Sequence, residues 1–207
     1  MARATTQKRA NDAPRDAIAL LKQDHRAVEA LFEEFEDAEE SEQSELATRI
    51  CQMLTVHAQI EEEILYPAAK EAFGEEDDEM VYEAEIEHGS AKELIAKIEG
   101  GTPDDPNFKP LVKVLSEYIK HHVKEEEKEM FPSLKETEVD LKELGSQLAE
   151  RKFALMEQMG IEAEEPPAPK RKRASGTKSR ASAAKSRQAR AGSRSKSARN
   201  SGSRARH

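Results

Sequence analysis

The chain has very little of what exported or membrane proteins depend on. It carries one cysteine, Cys51, so no disulfide can close within it, and that residue lies inside a helical pattern where a small core side chain is its expected role. No stretch approaches the ~18 apolar residues needed to cross a bilayer. The opening MARATTQKRANDAP is polar and basic and lacks the apolar run of a secretory signal,. A cytoplasmic location without a membrane partner is the expectation. No phosphate-cradling glycine loop and no nucleophile–base pair is visible, so enzyme status stays open and no catalytic residue is assigned.

Acidic residues are missing from Lys170 to His207, where 38 residues hold 14 Lys and Arg. Residues 1–169 hold the other 19 basic residues and all 42 Asp and Glu, a net charge of −23 against +14 for the tail. The formal −9 of the whole chain describes neither part. The tail also lacks Phe, Tyr and Trp, which excludes base stacking. Contact with DNA or RNA is expected through phosphates, without sequence preference and with strong salt sensitivity. The alternatives are a solvated tail or one folded back on the acidic part.

Apolar residues recur at helical spacing in five places. The first covers Asp16 to about Phe35, through Ile18, Leu21, Val28, Phe32 and Phe35. A second runs from about Glu42 to Ala72, through Leu46, Ile50, Met53, Leu54, Ile64 and Leu65, with Pro67 expected to perturb its last turns. A third spans about Asp77 to Ile98, through Val81, Ala84, Ala91 and Ile95, and stops at Gly100 and Gly101. The fourth follows the loop TPDDPNF and runs from about Lys109 to Met130, through Leu111, Leu115, Tyr118 and Ile119. Four helices with short connections imply an all-α antiparallel four-helix bundle.

The fifth stretch, Val139 to about Met159, carries Leu141, Leu144, Leu148, Phe153 and Met156 and is expected to pack outside the bundle. At EAEEPPAPKRKR, paired prolines and a switch of charge sign mark a boundary. Beyond it almost nothing is apolar, so no core is expected to offset the entropy of ordering. The expected organisation is a disordered N-terminus at 1–14, a bundle over 15–135, an additional helix over 136–160, and a disordered linker and basic tail over 161–207.

Each of the four bundle helices places a histidine in its apolar stripe: His25, His57, His88 and His122. Glu61 and Glu126 follow His57 and His122 by one turn, and a step of four puts both side chains on one face. Four imidazoles and two carboxylates then converge on the bundle axis. Burying two unpaired carboxylates costs several kcal/mol, so the set calls for a shared cation. Nitrogen and oxygen donors of this kind suit iron better than calcium or magnesium, and carboxylates can bridge a metal pair.

The chain also repeats itself. HAQIEEEILYP at 57–67 aligns without gaps on HVKEEEKEMFP at 122–132, each preceded by a lone histidine, 32 residues upstream for His25 and 34 for His88. This is a duplicated helix pair. The alignment selects His122 over His121, whose spacing to Glu125 is the same, because only His122 lies ten residues before its proline, as His57 does. His121 is expected to flank the site, and Glu62 and Glu127, one position off the inward face, to be solvated charges.

His, then HxxxE, then His, then HxxxE, with Tyr-Pro or Phe-Pro closing each motif, resembles the hemerythrin HHE cation-binding family over about residues 16–132. The resemblance implies a non-haem centre of two iron ions held by His25, His57, Glu61, His88, His122 and Glu126, with the two glutamates bridging. It also implies chemistry with small oxidants (dioxygen, peroxide or nitric oxide), iron storage, or repair of iron–sulfur clusters. Oxygen-carrying hemerythrins have five histidines, two of them one turn apart on the third helix; here the places four before and four after His88 are Ala84 and Lys92. Open positions, and reaction with the oxidant more than reversible carriage, are therefore expected. Glu85, one turn before His88, is a candidate further ligand. Some repair proteins carry an additional cysteine-bearing N-terminal module, and none is expected here, which counts against the repair reading without excluding it. Weak peroxidase or catalase-like turnover and a DNA-associated, non-enzymatic iron protein are the rival readings, the second placing the chain on the nucleoid.

Overall fold

A computed structural model describes residues 16–74 and 78–161, and every regular element among them is helical. The expectations for 1–14 and for the basic tail lie outside the described residues. Helix α1 is Ala17–Asp37, started by Asp16, whose Oδ1 accepts the Ala19 N–H at 2.8 Å,. Helix α2 is Glu40–Ile60; a π turn, Glu61–Leu65, joins it to α3, Tyr66–Phe73. Helix α4 is Glu79–Glu99 and ends at Gly100, as the glycine pair suggested. Helix α5, Phe108–Glu125, runs through a second π turn, Glu126–Met130, into α6, Phe131–Lys135.

The two π turns are what the periodicity did not show. Pro67 was expected to disturb the end of the second helix, and the fourth was expected to stop at about Met130, just before Pro132; in both cases the helix continues through the proline. A proline inside an α-helix has no N–H to donate and its ring meets the carbonyl four residues back. Widening the preceding turn, so that the Tyr66 N–H reaches the Glu61 carbonyl and the Phe131 N–H that of Glu126, makes room for the ring. Single π turns inside α-helices gather at functional sites. Here each begins on the glutamate of an HxxxE motif.

Helices α1, α2 with α3, α4 and α5 with α6 form the bundle, and α7, Leu141–Gln158, packs across α1 and α2. Its N-cap Asp140 accepts from Lys142 N and Glu143 N. Gly145 makes the close approach possible: a Cβ there would sit 2.6 Å from Ala17 N and 2.7 Å from Asp16 C. Leu144, Leu148 and Leu155 are the buried face of α7, whereas Phe153, expected in that stripe, is 65% exposed. Five residues past Leu148 is ~140° round the helix, off the buried face. Arg151 adds a two-pronged ion pair to Glu63 at 2.5 and 3.0 Å, and with Gln59 it holds that carboxyl down at about 2.

The apolar core is split in two. One cluster, around Phe32, Phe35, Ile50, Cys51, Leu54, Ile95 and Leu115, fills one end of the bundle. The other, around Leu21, Ile60, Leu65, Tyr66, Phe131, Leu134 and Leu148, fills the opposite end with α7. Between them lies a buried polar layer: His25, His57, Glu61, His88, His122 and Glu126. Among the described residues no helix is long and apolar enough to cross a membrane.

Candidate metal centre

The structure brings all six residues singled out from the sequence into one layer. His25 Nε2 and His57 Nε2 face each other at 3.1 Å, as do His88 Nε2 and His122 Nε2. Each glutamate lies between a histidine of its own motif and one of the other helix pair. Glu61 Oε2 is 3.3 Å from His57 Nε2 and 3.5 Å from His88 Nε2. Glu126 Oε2 is 3.6 Å from His122 Nε2 and 3.3 Å from His25 Nε2. The donor atoms form two groups able to hold a cation, one of His25, His57, Glu61 and Glu126 and one of Glu61, His88 and His122, with Glu61 common to both.

A second set of acids holds the imidazoles from behind. His25 Nδ1 donates to Glu127 Oε1 at 3.0 Å, His88 Nδ1 to Glu62 Oε1 at 3.0 Å, and His122 Nδ1 to Glu87 Oε2 at 2.7 Å. His57 Nδ1 faces Asp24 Oδ2 at 3.7 Å. These pairings repeat with the duplication: the glutamate after each HxxxE glutamate holds the lone histidine of the other helix pair, and the acid before each lone histidine faces the HxxxE histidine of its own pair. Lysines tie down the outer carboxylates. Lys22 Nζ reaches Glu127 at 2.9 Å, Lys92 Nζ reaches Glu62 at 2.6 Å, and Lys152 of α7 pairs with Asp24.

Glu62 and Glu127 are thus corrected: they are not solvated bystanders but the carboxylates that orient His88 and His25. The one signal for them in the sequence was the Glu-Glu doublet at the same place in both repeats. Nothing in a helical wheel marked Asp24 and Glu87, which reach a histidine of a neighbouring helix. Glu85, the candidate extra ligand, instead bonds Lys70 Nζ at 2.7 Å and stands outside both cation groups. His121 is 56% exposed and faces Glu125 and Glu87.

A cation fits this arrangement. Carboxylates only accept, so Nδ1 carries a proton on His25, His88 and His122, and a ring held this way that binds a metal turns the Nε2 lone pair inward. Lone pairs facing at 3.1 Å repel unless a positive charge stands with them. Both oxygens of Glu61 and Oε2 of Glu126 are buried without a hydrogen-bond partner, at 0% and 1% exposure. Such groups cost several kcal/mol each to bury unpaired.

Without a metal, protons must serve. Burial and the charge of Glu126 push the Glu61 carboxyl well above its ordinary value. Burial also works to raise Glu126, but His122, His25 and His57 outweigh it and bring it to about 2. Burial works to lower His122, yet Glu126 and Glu87 win and raise it. Burial and the charge of His122 depress His88 to about 4, and burial depresses His57 despite Asp24.

The repeats differ at the aromatic position. Tyr66 Oη donates to Glu126 Oε1 at 3.1 Å and lies 3.1 Å from His88 Nε2; burial, then the charges of Glu126 and Glu61, keep it a phenol. Phe131, its counterpart, stacks on His25 with centroids 5.9 Å apart. One half of the centre therefore has a hydroxyl that the other lacks. Beside the layer is a cavity of about 30 Å³ whose walls include all four histidines, Met53, Leu54 and Ile95.

Residues 16–134 match the family described as the hemerythrin HHE cation binding domain. The chain belongs to that family. It is 32% identical over 117 residues to a DNA nickase of Nostoc sp. (strain PCC 7120), covering 56% of this chain and 32% of that protein. It is 33% identical over 81 residues to an uncharacterised hemerythrin-like protein of Schizosaccharomyces pombe, covering 39% and 40%. The HHE chain thus spans at most two-fifths of the length of these curated relatives. Among solved structures, the crystal structure of a hemerythrin HHE cation binding domain-containing protein from Mycobacterium kansasii matches with a TM-score of 0.60 at 22% identity, over 69% of this chain and 88% of that one. That match supports the helical fold.

Proposed function

We propose that the chain is a non-haem di-iron protein that reacts with small oxidants: dioxygen, peroxide or nitric oxide. The observation that carries it is the pair of buried carboxylates Glu61 and Glu126, three of whose four oxygens have no hydrogen-bond partner, each set between two imidazole nitrogens whose far sides face other acids. His25, His57, His88, His122, Glu61 and Glu126 would hold the two ions, with Glu61 common to both groups of donors. A mixed nitrogen and oxygen set of this kind suits iron. Bound iron supplies the electrons and the Lewis acidity for oxidant chemistry.

The residues of the chain do the rest. Glu62, Glu87 and Glu127 fix the tautomer and aim of three rings. Tyr66 holds a proton on Oη, in contact with Glu126, at one side of the centre. Apolar packing at both ends of the bundle keeps bulk water off, and the cavity of about 30 Å³ takes a molecule of two or three atoms but no larger substrate,. Metal analysis and an optical spectrum test the reading, with the wild type expected to hold about two irons per chain and His57→Ala and His122→Ala to lose them. A wild type that takes up no iron refutes it. Peroxide consumption far above that of free iron would make it an enzyme, and stoichiometric oxidation alone would make it a store or sensor.

A second reading adds DNA. The +14 charge of Lys170–His207 favours it, and one relative is named a DNA nickase. In this reading the tail holds the centre near the nucleoid, where it consumes peroxide or keeps iron from generating radicals. Full-length chain should retard duplex DNA at low salt and a chain ending at Pro169 should not; equal behaviour of the two ends this reading and leaves the iron centre untouched.

A further inference from the structure

On either side of α5 the surface opens in opposite ways. Toward α1 is a groove of about 330 Å³ that carries Arg26, Lys120, Lys124 and Lys128. Toward α4 is a narrow cleft of about 40 Å³ with five carboxylates, Glu83, Glu87, Glu125, Glu126 and Glu129, beside His122 and no Lys or Arg. At the outer edge of the cleft, His121 Nε2 lies 3.1 Å from Glu125 Oε1 and 3.8 Å from Glu87 Oε1. At its inner end is Glu126, whose Oε2 is buried without a partner. Glu87 belongs to both ends, since its other oxygen holds His122 Nδ1.

We propose that Glu87, His121 and Glu125 form a third divalent-cation site, the receiving point of an acidic cleft through which metal reaches the central layer. The chemistry is one imidazole and two carboxylates whose donor atoms lie within 4.8 Å of one another, a set that takes iron(II), cobalt(II), manganese(II) or zinc(II). His121 and Glu125 are one turn apart on α5, and Glu87 projects from α4, so an ion there ties two helices. The carboxylates of Glu83, Glu87, Glu125 and Glu129 draw cations into the cleft, and the unpartnered Glu126 oxygen gives the ion a place to go. His121 has the same one-turn spacing to Glu125 as His122 has to Glu126, and its ring faces outward where that of His122 faces inward. The proposal rests on the central metal reading for its destination.

The test uses full-length protein and cobalt(II) alone, under exclusion of air. Equilibrium dialysis of the wild type should find a weaker class of one ion beyond the central ones. The double variant His121→Ala/Glu125→Gln should lose that class, keep the central ions, and fill them about tenfold or more slowly on rapid mixing. Lys124→Ala, on the opposite groove, should not slow filling. A double variant that keeps the weaker ion, or fills the centre at the wild-type rate, overturns the proposal, as does a wild type without the weaker class. Failure of the central reading registers differently, as absence of the tight ions that His57→Ala should remove. Both altered side chains are exposed or partly exposed, so the fold, checked by circular dichroism, should be retained.

Discussion

Removing a carboxylate that never touches the metal should weaken metal binding by an order of magnitude. Glu62 accepts the Nδ1–H of His88 and Glu127 that of His25, both at 3.0 Å, and their side chains are 30% and 26% exposed. A hydrogen bond with one charged partner is worth about 1.5–3 kcal/mol, and at this exposure water replaces part of it, which points to the lower end. A loss of ~1.4 kcal/mol is a tenfold fall in affinity, at the bottom of the 10- to 100-fold range typical of such supporting carboxylates. Glu62→Ala and Glu127→Ala should each show this fall in a competition titration against a chelator. Glu62→Gln and Glu127→Gln, which keep an accepting oxygen, should fall less. Glu85→Gln is the control: its carboxylate bonds Lys70 outside the cation groups, so affinity should stay within about twofold. Equal affinities in the Glu62 and Glu127 variants and in this control would refute the claim that these acids hold the rings.

Metal binding should release protons, because the pKa values of Glu61 and His122 are raised in the metal-free protein and an ion displaces the protons they hold,. Affinity should accordingly fall as pH is lowered through those raised values, and calorimetry in buffers of different ionisation enthalpy checks the release. Gly145→Ala should cost about 1–3 kcal/mol, since its Cβ meets backbone at 2.6 Å that cannot swing aside,; a melting temperature unchanged within a degree would count against the packing of α7 described above. Cys51 is buried, and burial together with the charge of Glu99 pushes its thiol up to about 12. It should resist a disulfide reagent at pH 8 in native protein and react fully once unfolded.

Which residues would meet was legible from local spacing alone. Helix periodicity, the HxxxE steps and the duplication marked His25, His57, Glu61, His88, His122 and Glu126, because a histidine in an apolar stripe has only the bundle axis to face. The bundle itself followed from four apolar stripes and short connections. What packing decided lies one step out. The π turns answer a clash between a proline ring and a carbonyl, and they carry no periodic signature of their own. Glu62 and Glu127 sit off the inward face of their own helices and find their partners on others, as do Asp24 and Glu87, so no one-helix pattern could mark them. Phe153 points outward because the face of α7 is set by Leu144, Leu148 and Leu155 against α1 and α2. Periodicity within one helix is a local property and is written in sequence; a hydrogen bond between side chains 26 or 102 residues apart exists only once the helices have packed.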